Sequence, residues 1–138
     1  MTTIKATKGE FVNLINGLFS VQELKGKDFG LAVSKNITNL KEGLKHLEDE
    51  GKPSDEFMEL AKKVNEISNE NSEDAKDRID ALEKENEKLV QSRKDQMDKV
   101  MELMKDDISL DLVMISKKVL PEDITAKQIN SIEKIINN

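Results

Sequence analysis

Reactions at a protein site need a few reactive side chains held in register, and this sequence of 138 residues holds few of them: no Cys, no Tyr, no Trp and one His. That imidazole, His46, sits between Leu44 and Leu47 on a charged stretch with no companion motif to make it the base of a nucleophile pair. It reads as a surface histidine. Carboxylates are plentiful, at 28 acidic residues, but a glycosidase-type pair works in a cleft with aromatic platforms, and the only aromatics are four Phe within the first 57 residues. Glu48-Asp49-Glu50 and Asp106-Asp107 are adjacent acids; neighbours on a helix point about 100° apart and chelate one ion poorly. The glycines of Gly26-Lys27-Asp28-Phe29-Gly30 lack the spacing and the Lys-Ser/Thr ending of a phosphate-binding loop. We therefore expect no catalytic residue, no metal ligand and no cofactor, and a protein that is not an enzyme.

Composition narrows the partners. Charged residues make up 36% and the net charge is −6. Residues 1–46 carry a small positive excess, 47–87 hold fifteen acids against six bases, and the remainder is balanced. Nucleic-acid binding draws affinity from clustered Lys and Arg and from aromatic stacking, so an acidic middle with two Arg, Arg78 and Arg93, points away from it. The opening residues have no apolar core of a signal peptide, and no run reaches the roughly 18 apolar residues of a membrane span. A cytoplasmic protein with no membrane partner is the expectation. The absence of Cys removes disulfides and thiolate sites and agrees with that compartment.

What the chain has in quantity is amphipathic helix. A short strand over Thr3 to Ala6 is followed by a capping box of Thr7 and Glu10, predicting a helix from about Lys8 to about Leu18 with Phe11, Leu14, Ile15 and Leu18 on one face. Ser20 with Glu23 forms a second candidate box. From about Asp28 to Glu50 the seam Phe29-Val33-Ile37-Leu40-Leu44-Leu47 predicts a helix, and Gly51 and Pro53 stop it before a new start at Ser54. Phe57, Leu60, Val64 and Ile67 continue the stripe. A third stretch, Glu73 to about Lys105, carries a thinner seam of Ala75, Ile79, Leu82, Asn86, Leu89, Arg93, Met97, Val100 and Met104. Alternation over residues 109–116 predicts a half-buried strand, paired with the first, and Thr125 with Gln128 caps a final helix burying Ile129, Ile132, Ile135 and Ile136.

Together these predict a mainly α protein of one domain: an antiparallel long-helix hairpin over residues 28–106, on a base of 1–27 and 107–138 with a two-stranded β element and short helices. If Asp28 to Ile67 forms one kinked arm of roughly 60 Å, a return arm of roughly 50 Å closes on it with the tip near Asn69 to Ser72. Reversal at Gly51 to Pro53 is the alternative. Asn86 and Arg93 interrupt the apolar line as register-setting polar residues do in coiled coils, or simply border solvent. Asn86, Leu89, Val90, Arg93 and Met97 are thus the expected partner-binding residues, with core packing the competing explanation for the apolar three. The acidic middle suggests a DNA mimic less well than helix-surface pairing such as Glu59 with Lys63 and Asp80 with Lys84.

The stretch from Lys25 to Leu44, with Ala32, Lys35, Asn36 and Leu40 in the pattern Ala-x-x-Lys-Asn-x-x-x-Leu, resembles small uncharacterised proteins of tailed bacteriophages. The ending, Ile108-Ser-Leu-Asp-Leu with Leu120-Pro121 and Ala126-x-x-Ile129, is similar to theirs. The likeness spans about half of the chain, and the acidic middle departs from the family in length and composition. It implies a phage setting in a host cytoplasm and brings no catalytic residues. The expected function is stoichiometric binding, as an inhibitor for example, to a host or phage protein. Self-association as a possible homodimer, in a structural or assembly component of the virion, is the alternative, and an acidic DNA-mimic inhibitor a further one.

Overall fold

The computed structural model describes residues 1–137. The chain opens as strand β1 (Thr2–Thr7) and turns at once into helix α1 (Lys8–Val21). The capping box forms as the spacing predicts: Thr7 Oγ1 accepts from the Glu10 N–H at 3.1 Å while the Glu10 carboxylate reaches back to the Thr7 N–H. The Lys134 ammonium, 2.6 Å from that carboxylate, and the Thr7 N–H together hold the Glu10 carboxyl below the usual carboxylate range. Helix α1 buries Phe11, Leu14, Ile15, Leu18 and Val21, a stripe at helical spacing. Full burial of each such side chain stabilises by about 1.5–3 kcal/mol. The second box expected at Ser20 is not made. Ser20 lies inside α1, where its hydroxyl donates to the Gly17 carbonyl at 2.6 Å, so the helix runs on to Val21.

Gly26, at φ 138°, starts α2 (Lys27–Gly43), and the backbone then breaks at Leu44 before α3 (Lys45–Gly51). The stretch from Asp28 to Ile67, expected as an arm interrupted at Gly51 to Pro53, is therefore three helices: α2, α3 and, after Lys52 to Ser54, α4 (Asp55–Asn69), with the break at Leu44 the one that the seam does not announce. Next come α5 (Ala75–Glu85), α6 (Glu87–Leu103), β2 (Asp107–Leu112), β3 (Ile115–Ser116), a 3-10 turn at Lys117–Val119, α7 (Ala126–Ser131), a second 3-10 turn at Glu133–Ile135 and β4 (Ile136–Asn137). The chain divides into two compact units, one comprising Met1–Glu48 and the chain from Glu102 onward, the other Asp49–Met101.

The first unit is built on two small sheets. Strands β1 and β2 pair as expected, and they do so antiparallel with Thr2 opposite Leu112 and Thr7 opposite Asp107; β3 pairs parallel with β4. The expected strand over 109–116 is split after Leu112, where β1 runs out at Thr2, and Asn36 then holds the Val113 backbone from the α2 side. Its Nδ2 donates to the Val113 carbonyl at 2.9 Å and its Oδ1 accepts the Val113 N–H at 2.7 Å. Asn36 is fully buried and satisfied on both ends of its amide. Around it lies the core, with Phe11 and Leu18 of α1, Phe29, Val33 and Leu40 of α2, Leu47 of α3, Leu112 of β2 and Ile115 of β3. Two isoleucines of the C-terminal segment, Ile132 and Ile135, are wholly buried with them; Ile129 and Ile136 are only partly so, because the last helix ends at Ser131 and the chain straightens into β4.

Close approach decides where α1 meets α7. A Cβ at Gly17 would stand 2.7 Å from the Ser131 carbonyl oxygen, so only glycine lets these two helices touch. At the same end, Gln128 Nε2 donates to the Ser20 carbonyl at 3.1 Å. It supplies a partner for a carbonyl at the end of α1 that lacks one within the helix.

Candidate functional site

The second unit carries all the residues expected to bind a partner. Ser54 caps α4, its hydroxyl accepting the Phe57 N–H at 3.1 Å, and Asp55 and Glu56 favour the positive end of the helix. The chain turns over Glu70 to Asp74, where Asn71 takes φ 52°, a left-handed conformation Asn tolerates better than most. Arg78 reaches back from α5 to the carboxylates of Glu70 and Asp74, which raises its pKa above the ordinary guanidinium value. Helices α4 and α5 pack on each other across this turn.

The long third helix expected from Glu73 to Lys105 is interrupted at Asn86. There the side-chain Nδ2 donates to the Leu82 carbonyl at 2.8 Å, and the backbone N–H bonds to Leu82 and Glu83. Asn competes with the helix for its own carbonyls, which is the local reason the chain pauses between α5 and α6.

Arg93 and Gln96 form a clamp. Arg93 Nη1 donates to the Gly51 carbonyl at 2.7 Å and to Gln96 Oε1 at 2.9 Å, while Gln96 Nε2 donates to the carbonyls of Glu50 and Lys52, each at 2.7 Å. These carbonyls belong to a helix end and the loop after it, where partners within the helix run out. The Arg93 guanidinium also stands 5.6 Å from the centre of the Phe57 ring, within cation–π range. Leu89 and Arg93 line one open cavity of about 320 Å³ with Lys52, Ser54, Phe57, Ser92 and Gln96. Val90 turns away from it into a depression edged by Asp80, Glu83, Lys84, Glu87, Gln91 and Lys94.

The five expected residues are thus not one patch. Asn86 Nδ2 and Arg93 Nη1 each donate to a carbonyl of the protein's own backbone, and Leu89 lines the cavity beside α4. Val90 and Met97 face outward, Val90 half-buried and Met97 39% exposed. Met101, at 62%, and Met58 of α4, at 45%, extend the accessible apolar surface. Met101 was missed in the sequence, although its spacing of four from Met97 and eleven from Val90 puts the three on one side of α6.

Burial separates the two units sharply. Among the described residues of Asp49–Met101, Leu60 and Val100 are the buried hydrophobics, and α5 buries none. Phe57, Val64, Ile67, Ile79 and Leu82 are half-buried. The unit also holds sixteen acids against ten bases, an excess equal to the whole net charge of −6.

His46 is exposed, and among the described residues no group of three or more His, Cys, Asp or Glu is placed to hold a metal ion. No helix among them is long and apolar enough to cross a membrane. Comparisons with protein-family models, curated proteins and solved structures find no match for the chain.

Proposed function

We propose that this is a non-enzymatic, phage-encoded protein that works in the host cytoplasm by stoichiometric binding to a host or viral protein, through the helical unit. In this reading α4 is one arm and α5 with α6 the other arm of an antiparallel hairpin. The ion pair of Arg78 with Glu70 near the turn and the bonds from Arg93 and Gln96 to residues 50–52 near the open end support that layout. The partner offers an apolar helix face to Val90, Met97 and Met101.

One observation carries the reading: a unit of 53 residues, Asp49–Met101, leaves nearly all of its seam half-covered. A pair of helices sealed on one side buries little, and most helical stability comes from tertiary packing of the apolar face. A partner helix would supply what is missing, and methionine suits such a surface because its flexible thioether adapts to irregular contact. The resemblance to small tailed-phage proteins supports the setting.

The test is affinity capture from host and phage-infected lysates with the protein and with a Met97→Glu, Met101→Glu double variant. Both positions are solvent-exposed, so the variant should keep its helix content and its unfolding midpoint. The reading predicts a captured protein at one-to-one stoichiometry that the variant loses. A protein retained equally by both forms, or none captured by either, would remove the helical unit from consideration.

A further inference from the structure

We propose that β1 is a self-pairing edge: two copies of this chain join through antiparallel β1 strands into a continuous sheet ordered β2–β1–β1′–β2′. The inference concerns the first unit and does not rest on the helical-unit reading.

A two-stranded sheet has two outer edges, and among the described residues only one is closed. On β2, Asn39 Nδ2 donates to the Asp111 carbonyl at 3.1 Å and Asn36 engages both backbone groups of Val113, so α2 covers that side. The Asp111 contact also fixes the parity of the ladder. Because the Asp111 carbonyl points away from β1, the pair Thr3 and Asp111 is not hydrogen-bonded across the ladder, and the bonded pairs are Thr2 with Leu112, Ile4 with Leu110 and Ala6 with Ile108. The backbone N–H and C=O of Thr3 and Lys5 then point to the outer edge of β1. The Thr7 N–H agrees, since it leaves the ladder to meet the Glu10 carboxylate, which also ends the open edge at that residue. Among the described residues nothing bonds to the outward groups of Thr3 and Lys5.

Proteins ordinarily blunt such an edge, so an open one is a template for another strand. The occupant that fits is a second copy. With a two-fold axis at Ile4, Thr3 faces Lys5′ and Lys5 faces Thr3′, and each pair exchanges both backbone bonds. An axis at Lys5 would set like charges directly opposite, which is unfavourable. On the outer face Lys5 keeps Asp111 of its own chain as a diagonal neighbour and gains the row that ends in Asp111′, so its charge does not close this edge. On the inner face Ile4, packed only in part against the core, meets Ile4′.

Sedimentation velocity over a dilution series reads the proposal directly. The protein should move from twice the chain mass of 15.6 kDa toward a single chain on dilution. Thr3→Pro removes an N–H that β2 does not use, and should weaken self-association at least about tenfold with unchanged circular dichroism. Lys5→Glu gives a second variant, with the same expected direction, should the proline variant misfold. Ile4→Cys should cross-link to a covalent dimer on mild oxidation, since facing non-bonded residues lie about 4.5 Å apart at Cα. A single chain at every concentration overturns the proposal. So does a dimer that survives both edge variants but not the Met97→Glu, Met101→Glu change, which would place self-association in the helical unit, and so does loss of a different protein from the Thr3→Pro form.

Discussion

Asn36 is the residue on which the first unit turns. It is the one buried polar side chain among the described residues, and it stands in a helix face that otherwise buries Phe29, Val33 and Leu40. Its amide bonds both backbone groups of Val113, which point away from β1 toward α2. Asn36→Ala leaves a backbone donor and acceptor without partners, and we expect it to lower stability by about 2–4 kcal/mol. Asn36→Asp should do at least as much harm, because it loses the donor and buries a charge. A urea titration checks both through a lower midpoint at constant slope. A midpoint unchanged from that of the unmodified protein would mean that the two bonds contribute nothing. Asn36 and Asn39 lie three apart in a helix, where Asn is a poor former, and that spacing was the available signal for a polar contact to the sheet.

Contacts between elements depend on two glycines in different ways. At Gly17 an added Cβ meets the Ser131 backbone oxygen at 2.7 Å, so α1 and α7 would have to separate. At Gly43 it meets Leu110 Cδ2 at 2.5 Å, the far end of a side chain that can take another rotamer. Gly17→Ala should therefore destabilise by about 1–3 kcal/mol and Gly43→Ala by less than about 1 kcal/mol, as read from thermal midpoints. The reverse order would show that the α1–α7 contact yields more readily than the packing of Leu110. The capping boxes at Thr7 and Thr125 both form at the residues where the sequence predicts them, with Gln128 closing the second at 2.9 Å. Ser20 has the same local spelling, yet its hydroxyl turns back to Gly17. The difference is that α1 continues to bury Val21 in the core, and tertiary burial outweighs a cap worth about 1 kcal/mol.

The two units differ in how much of their apolar surface is withdrawn from water, and that predicts how they open. Amide hydrogen exchange should show protection factors in α4 and α5 at least about tenfold lower than in α1 and α2, since local opening is easiest where few apolar contacts are lost. Equal protection throughout would mean that the seam of Asp49–Met101 is covered in solution. Much of the fold is legible along the chain: the first strand, the caps at Thr7, Ser54 and Thr125, the helical stretches, and the pairing of the first strand with the alternating segment near Ser109. These depend on hydrogen bonds and side-chain periods that neighbouring residues settle among themselves. The seams of α2 and of α4 to α6 have the same spacing and similar residues, so nothing local tells which one is sealed. Packing of α2 on α1 and β2 decides that, along with the diversion of Arg93 and Asn86 to backbone carbonyls, because each depends on groups that meet only when distant parts of the chain fill one space.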